Sequence, residues 1–409
     1  MITKSILNKF PEYINKNVIS ILFVMIFLFI LLTDFLTQNG QQFSELANSF
    51  LHLKPYFLHS IGGVGQDPIL YRGKIYWGEG LFPAIVLMPF VLLFNSLHLF
   101  FYQGFLQWVL VIITLIIIKK IAVKIGFSNK DSLFLAFVFL LGTVYIGVAS
   151  VSSSWFFAQV ITTLLIFLTL YEFLHRKRWW LLGILSGLLF ITRATAAGII
   201  VFLLLELFSE RRSNSRLKLA VQLLLPFGIA ILLTGLYNFV RFNNPFNGGY
   251  LYQDISTISA ASRSIGLFSL KHIPFNLYHA LFGTPVISTA TNSSWQAIYP
   301  FIKNNPYGLS IFITSPFLLY IFYQKKSAFK SNQIKNLIIT TIIIAIAVFS
   351  YYGVGIYQYG YRYSLDFLPE LFLIFLLLYK QRHKNLSFGF KVLASTSIIL
   401  NFYLLLTFL

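Results

Sequence analysis

RKRWWLLGILSGLLFITRATAAGIIVFLLLELFSERR, residues 176–212, is an apolar block with a basic cluster at each end. One long helix through residues 179–208 would place a cluster on each side of a membrane, whereas Lys and Arg gather on the cytoplasmic side. Two short helices turning near Thr192-Arg193-Ala194-Thr195 keep both clusters on one side and lift Arg193 to the opposite interface. The stretch therefore predicts a hairpin.

The same logic extends along the chain. Six short clusters hold 22 of the 31 Lys and Arg: Lys4/Lys9/Lys16, Lys119/Lys120/Lys124/Lys130, Arg176/Lys177/Arg178, Arg211/Arg212/Arg216/Lys218, Lys325/Lys326/Lys330/Lys335 and Lys380/Arg382/Lys384/Lys391. With the N-terminus inside, crossings are expected at 17–36, 99–118, 131–151, 156–173, at the two arms of the 179–208 hairpin, and at 217–239, 309–323, 336–352, 367–379 and 392–409. This makes an all-α polytopic membrane protein of about 11 transmembrane helices, one domain over 1–409. Residues 81–97 are apolar too, but a crossing there would put Lys119-Lys120 outside. Pro83, Pro89 and Asn95-Ser96 suit an interfacial or re-entrant helix instead.

Composition agrees. The chain is 57% hydrophobic and 11% charged, with mean hydropathy +0.76, outside the range of soluble domains. A net charge of +19 would suggest nucleic acid in a soluble domain. Here the clusters sit at span ends, where anionic headgroups hold them, so no nucleic-acid partner is expected. The absence of cysteine excludes disulfides and thiolate metal sites. The first apolar segment lacks a small-residue cleavage site and reads as a retained anchor. Abundant Ile, Phe, Asn and Lys point to an AT-rich bacterial genome, hence to the inner (plasma) membrane with the N-terminus cytoplasmic.

The remaining polar residues collect in two outer loops, 37–98 and 240–308, so any chemistry is expected on the extracytoplasmic face. In the first, Phe43, Leu46, Ala47, Phe50 and Leu51 follow a helical face and predict an amphipathic helix on the membrane surface. Four of the twelve carboxylates, Asp34, Glu45, Asp67 and Glu79, fall at or within that loop. Near the low-dielectric boundary such a group can deprotonate an acceptor hydroxyl, or it is simply a solvated loop charge. Arg193 either grips a phosphate bidentately or snorkels from a helix end. The run Tyr357 to Tyr363, which includes Tyr361 and Arg362, reads as a membrane-interface belt or as a sugar- or lipid-contacting patch. His52 and His59 lack a third ligand, and Asn292-Ser293-Ser294 is a short, unspecific sequon.

In order along the chain, these pieces resemble the GT-C class of membrane glycosyltransferases, which includes protein mannosyltransferases and the aminoarabinose transferase of lipid A. The pieces are the amphipathic segment; Asp67-Pro68-Ile69-Leu70-Tyr71-Arg72-Gly73-Lys74-Ile75-Tyr76-Trp77-Gly78-Glu79 followed by Phe82-Pro83; Gly183 to Gly187 leading to Thr192-Arg193; Tyr237-Asn238-x-x-Arg241; and Gly360-Tyr361-Arg362-Tyr363-x-x-Asp366. The class usually carries an acidic residue just before the amphipathic helix. Here that place reads Gln38-Asn39-Gly40-Gln41-Gln42, so Asp34, Glu45, Asp67 or Glu79 would have to substitute.

The resemblance implies transfer of a sugar from a polyprenyl-phosphate donor to a hydroxyl on a glycan, lipid or protein acceptor. The donor phosphate would be held by some of Arg72, Lys74, Arg193, Arg241 and Arg362. Tyr71, Tyr76, Trp77, Tyr361 and Tyr363 would contact sugar or membrane lipid. A divalent cation, Mg or Mn, is allowed but not required. Two other readings stay open: a lipid or small-solute transporter, and a non-catalytic scaffold of the same fold.

Overall fold

The computed structural model describes residues 20–36, 40–59, 67–209, 216–288, 291, 293–296 and 298–409. The Lys4/Lys9/Lys16 cluster, Gln38-Asn39, Arg211/Arg212 and Asn292 of the sequon lie outside them. The described chain is mostly helical. In order it forms α1 (Ser20–Leu36), α2 (Gln42–Leu51), a hairpin of β1 (Ile69–Tyr71) and β2 (Lys74–Tyr76), α3 (Phe82–Ser96), α4 (Gln103–Ile125), α5 (Asn129–Leu141) and α6 (Tyr145–Ala149). Next come α7 (Ser154–His175), α8 (Trp179–Thr192), α9 (Ile199–Ser209), α10 (Arg216–Phe242), α11 (Thr257–Ser264) and α12 (Ile273–Phe282). A second small hairpin, β3 (Val286–Ile287) with β4 (Ile302–Lys303), precedes α13 (Ile311–Thr314), α14 (Asn332–Ser350), α15 (Leu368–Arg382) and α16 (Phe388–Leu406).

Four of these helices, α7, α10, α14 and α16, are long and apolar enough to cross a membrane, and α1 and α8 are shorter apolar helices. On α10 the residues Leu225, Leu232 and Leu236 are exposed, a face suited to lipid rather than water. The chain is an all-α membrane protein.

The 176–212 stretch does form two helices, broken at residues 193–195. Small residues fix how they pack. A Cβ on Gly183 would lie 2.3 Å from the Leu223 carbonyl, and one on Gly187 would lie 2.9 Å from the Ala230 Cβ. The Gly-x-x-x-Gly face thus lets α8 lie close against α10 and parallel to it. α9 runs antiparallel to α14, because Gly198 meets Ile344 while Glu206 accepts a hydrogen bond from Asn336 Nδ2 at 2.8 Å. The ends of α8, α10 and α14 and the starts of α9 and α15 consequently meet at one end of the bundle. The basic clusters at residues 176–178, 325–335 and 380–384 fall at the other ends of these helices.

Residues 309–323, expected to be one helical crossing, are instead broken. α13 ends after four residues, Ser315 leaves helical geometry, and a 3-10 turn follows over Pro316–Ile321. Proline and serine interrupt the backbone here, and α16 satisfies the group set free. The Thr314 carbonyl accepts from Asn401 Nδ2 at 2.6 Å and from Ser397 Oγ at 2.9 Å. Non-helical backbone at membrane depth survives only with such partners.

α3 packs on α2, with Asn95 Nδ2 donating to Asn48 Oδ1 at 2.8 Å. It starts two residues after Gly80, which touches the end of α8, and its last residue leads through a short link to the start of α4. The start of α4 is tied back to the segment before α2 by Gln103 N–H donating to Gln41 Oε1 at 2.8 Å.

Candidate active site

The helix ends opposite the basic clusters enclose a cavity of about 260 Å³. Three walls build it. The first is the strap of residues 77–81, which leaves the β1–β2 hairpin and passes the tip of α8. Arg72 and Gly73 take left-handed turn geometry, with φ of +48° and +72°, and this reverses the chain tightly between the strands. Trp77 anchors the strap. Its ring packs on Phe43 (5.9 Å between centroids) and Trp155 (5.5 Å), and its carbonyl accepts from Arg241 Nη1 at 2.8 Å. Gly80 then presses on α8, where a Cβ would come within 2.0 Å of the Ile191 carbonyl, so no larger residue fits. Between these anchors Glu79 lines the cavity and makes no hydrogen bond or ion pair with another described residue.

The second wall joins the hairpin tip to the head of α15. Arg193 donates from Nε and Nη2 to the two oxygens of Asp366, at 2.8 and 3.1 Å, and Thr195 Oγ1 adds a bond of 2.5 Å. The guanidinium also lies 5.4 Å from the centre of the Tyr363 ring. Asp366 is fully buried and Arg193 is 13% exposed. The Nη1 edge of Arg193 has no partner among the described residues.

The third wall is the end of α10 with aromatic residues from the stretch 240–308 and from the segment after α14. Arg241 stacks 4.0 Å from the Tyr237 ring centre, donates from Nη2 to Asn238 Oδ1 at 2.7 Å, and leaves Nε without a partner. Tyr250, Phe268, Tyr351 and Tyr363 complete the lining.

Asp67 and Arg362 flank the cavity without lining it. The Asp67 carboxyl is pushed up to about 6, first by burial and then by the negative charge of Glu79, while Arg362 and Arg263 pull it down. Arg362 is buried, with Nη1 donating to Gln159 Oε1 at 3.3 Å and its guanidinium 4.7 Å from the Tyr363 ring centre.

The other residues singled out in the sequence lie elsewhere. Asp34 is fully buried in α1, accepting from Gln107 Nε2 at 2.7 Å, because a carboxylate inside the bundle needs an amide partner. Glu45 sits in the first turn of α2, where burial raises its carboxyl and the charge of His59 opposes the shift. Arg72 and Lys74 are exposed on the hairpin and lie over Tyr71 (5.2 Å) and Tyr56 (4.2 Å). Tyr71 and Tyr76 pack on Phe242, and Trp77 and Tyr361 are core residues, 1% and 0% exposed. Of the carboxylates, cations and contact residues expected from the sequence, the cavity gathers Glu79, Arg193, Arg241 and Tyr363. It adds Asp366, Thr195, Tyr237, Asn238, Tyr250 and Tyr351, which sequence reasoning did not place in a site. Tyr237-Asn238-x-x-Arg241 and Arg362-Tyr363-x-x-Asp366 carried the signal, since each sets a polar group one helical turn from an arginine.

Of the carboxylates that line the cavity, Glu79 alone is left unengaged by another described residue. Among the described residues no three of His, Cys, Asp and Glu cluster, and both oxygens of Asp366 are already engaged.

No family model matches the sequence, and no curated protein matches it. Solved structures similar in backbone include the Archaeoglobus fulgidus oligosaccharyltransferase in the apo form. That match has 12% identity and a TM-score of 0.47, covering 94% of this chain and 56% of that one. The archaeal oligosaccharyltransferase AglB of the same organism, in complex with an inhibitory peptide and a dolichol-phosphate, gives 14% identity and a TM-score of 0.43, covering 96% and 56%. These are glycosyltransferases of the GT-C fold. The chain spans about half the length of these structures, and a likeness at this level says nothing of substrate or reaction.

Proposed function

We propose that this protein is a membrane glycosyltransferase that moves a sugar from a polyprenyl-phosphate donor to an acceptor hydroxyl, with Glu79 as the general base. The observation that carries the reading is the pairing of an unpartnered carboxylate with two arginines in one cavity, at the bundle end away from the basic clusters. By the positive-inside rule that end is extracytoplasmic, in a chain of eleven crossings with α3 held at the interface.

In this reading the acceptor O–H gives its proton to Glu79 and its oxygen attacks the anomeric carbon. The bond from that carbon to the phosphate oxygen breaks, and polyprenyl phosphate leaves with the electron pair. The Nη1 edge of Arg193 faces the leaving phosphate, its other edge being held by Asp366. Arg241 acts differently, since two of its nitrogens clamp Trp77 and Asn238. It positions the strap that carries Glu79. Tyr250, Tyr351 and Tyr363 offer ring faces to the sugar, and the exposed apolar face of α10 offers a path for the lipid. Asp67 flanks the base, and its own carboxyl is pushed up by burial and then by the neighbouring charge of Glu79.

The reading is tested by titrating detergent-purified protein with a short-chain polyprenyl phosphate. Saturable binding that is lost in Arg193→Met supports the donor site. Equal binding by both proteins removes Arg193 from it.

A further inference from the structure

A second cavity, about 440 Å³, lies at the opposite, basic end of the bundle between α4, the start of α5 and the end of α7. One face of α4 supplies Ile116, Lys119, Lys120, Val123 and Lys124, at the i, i+3, i+4, i+7, i+8 spacing of adjacent helical turns. Tyr171 and His175, one turn apart on α7, form the facing wall. No carboxylate lines it. The nearest on these helices are already taken, Glu172 by Arg178 at 2.8 Å and Asp131 by Lys391 at 3.4 Å. The three lysines make no hydrogen bond or ion pair with any other described residue. Three lysines thus line one recess with no counter-charge among the described residues.

The recess continues into an apolar track. Val109, Ile116 and Val123 follow at seven-residue spacing on α4 and are 40%, 43% and 41% exposed, so one side of the helix presents apolar side chains from the lysines toward its other end. A soluble anion has no use for such a stripe, whereas an acyl chain does.

We infer that this groove is a binding site for an anionic phospholipid, with the phosphodiester headgroup among Lys119, Lys120 and Lys124 and one acyl chain along Val109–Ile116–Val123. Basic recesses between helices at the end where positive charge collects are suited to such headgroups. The site is separate from the cavity that holds Glu79 and does not depend on what that cavity does.

The test uses the full-length protein, delipidated in detergent, and native mass spectrometry with dioleoylphosphatidylglycerol or dioleoylphosphatidylcholine added. One equivalent of the glycerol lipid should be retained on the order of tenfold more tightly than the choline lipid. Lys119→Gln/Lys120→Gln/Lys124→Gln should abolish that preference, while Lys325→Gln/Lys326→Gln/Lys330→Gln, in another exposed basic cluster, should keep it. Equal retention of the two lipids by the wild type, or loss of the preference in both triple variants, overturns the site. Displacement of the lipid by inorganic phosphate or glycerol phosphate at millimolar concentration would assign the recess to a free anion and overturn the lipid reading.

Discussion

Arg193 and Asp366, 173 residues apart, face each other through two parallel N–H···O bonds of 2.8 and 3.1 Å. The pair ties the α8–α9 turn to the head of α15 and fixes two walls of the cavity at once. A carboxylate buried this fully depends on its partner. Asp366→Ala should destabilise the protein by about 3 kcal/mol, because it leaves a guanidinium in a low-dielectric site alone. Adding Arg193→Met should recover part of the loss, since neither charge is then buried unpaired. Thermal melting in detergent reads both. No loss in the single variant would mean the pair does not hold the walls.

Donor binding separates the arginines in the cavity from the cations outside it. Arg193→Lys keeps the charge but cannot hold Asp366 and a phosphate through separate edges, so affinity for polyprenyl phosphate should fall by about tenfold. Arg72→Ala/Lys74→Ala should leave affinity within about twofold, as both side chains are exposed and lie over Tyr71 and Tyr56. The reverse order in a binding titration would move the donor to the hairpin.

Asp67 gives a stability signature. Its folded-state value of about 6 lies above the ordinary carboxylate value, so the folded chain binds this proton more tightly than the unfolded chain. Stability from that proton is therefore present at low pH and is lost as pH rises through about 6. Asp67→Asn removes the penalty of ionising the group, and asparagine tolerates the left-handed φ of +48° at this position. The variant should melt higher than the wild type at pH 7.5 and at the same temperature at pH 4. A gain that persists unchanged at pH 4 would mean the carboxyl does not titrate in this way.

The hairpin at residues 179–208 and the helical face from Phe43 to Leu51 were legible because charge asymmetry and apolar spacing are local signals. The β1–β2 hairpin also had one. Ile69-Leu70-Tyr71 and Lys74-Ile75-Tyr76 are β-prone runs around Arg72-Gly73, although the motif also resembles a row of ligands. Its Arg and Lys turn outward as a consequence of that strand pairing. The Arg193–Asp366 bond was not legible, since nothing local tells which carboxylate meets a cation 173 residues away. Ser315-Pro316 is a break signal inside residues 309–323, but the apolar run around it reads as one crossing. That Ser397 and Asn401 make the break tolerable depends on the packing of α16, which spacing alone does not give.

The central claim is that Glu79 takes the acceptor proton in a sugar transfer from a lipid phosphate. Detergent-purified protein can be incubated with a panel of labelled polyprenyl-phosphate sugars and a membrane-glycan and peptide acceptor mixture, with release of the label from the lipid followed over time. At least one donor should turn over with the wild type. Glu79→Gln should drop that rate by about a hundredfold or more while binding donor and melting as the wild type does. Wild-type turnover in Glu79→Gln would contradict the assignment of the base, and no turnover of any donor by the wild type would contradict the proposed reaction.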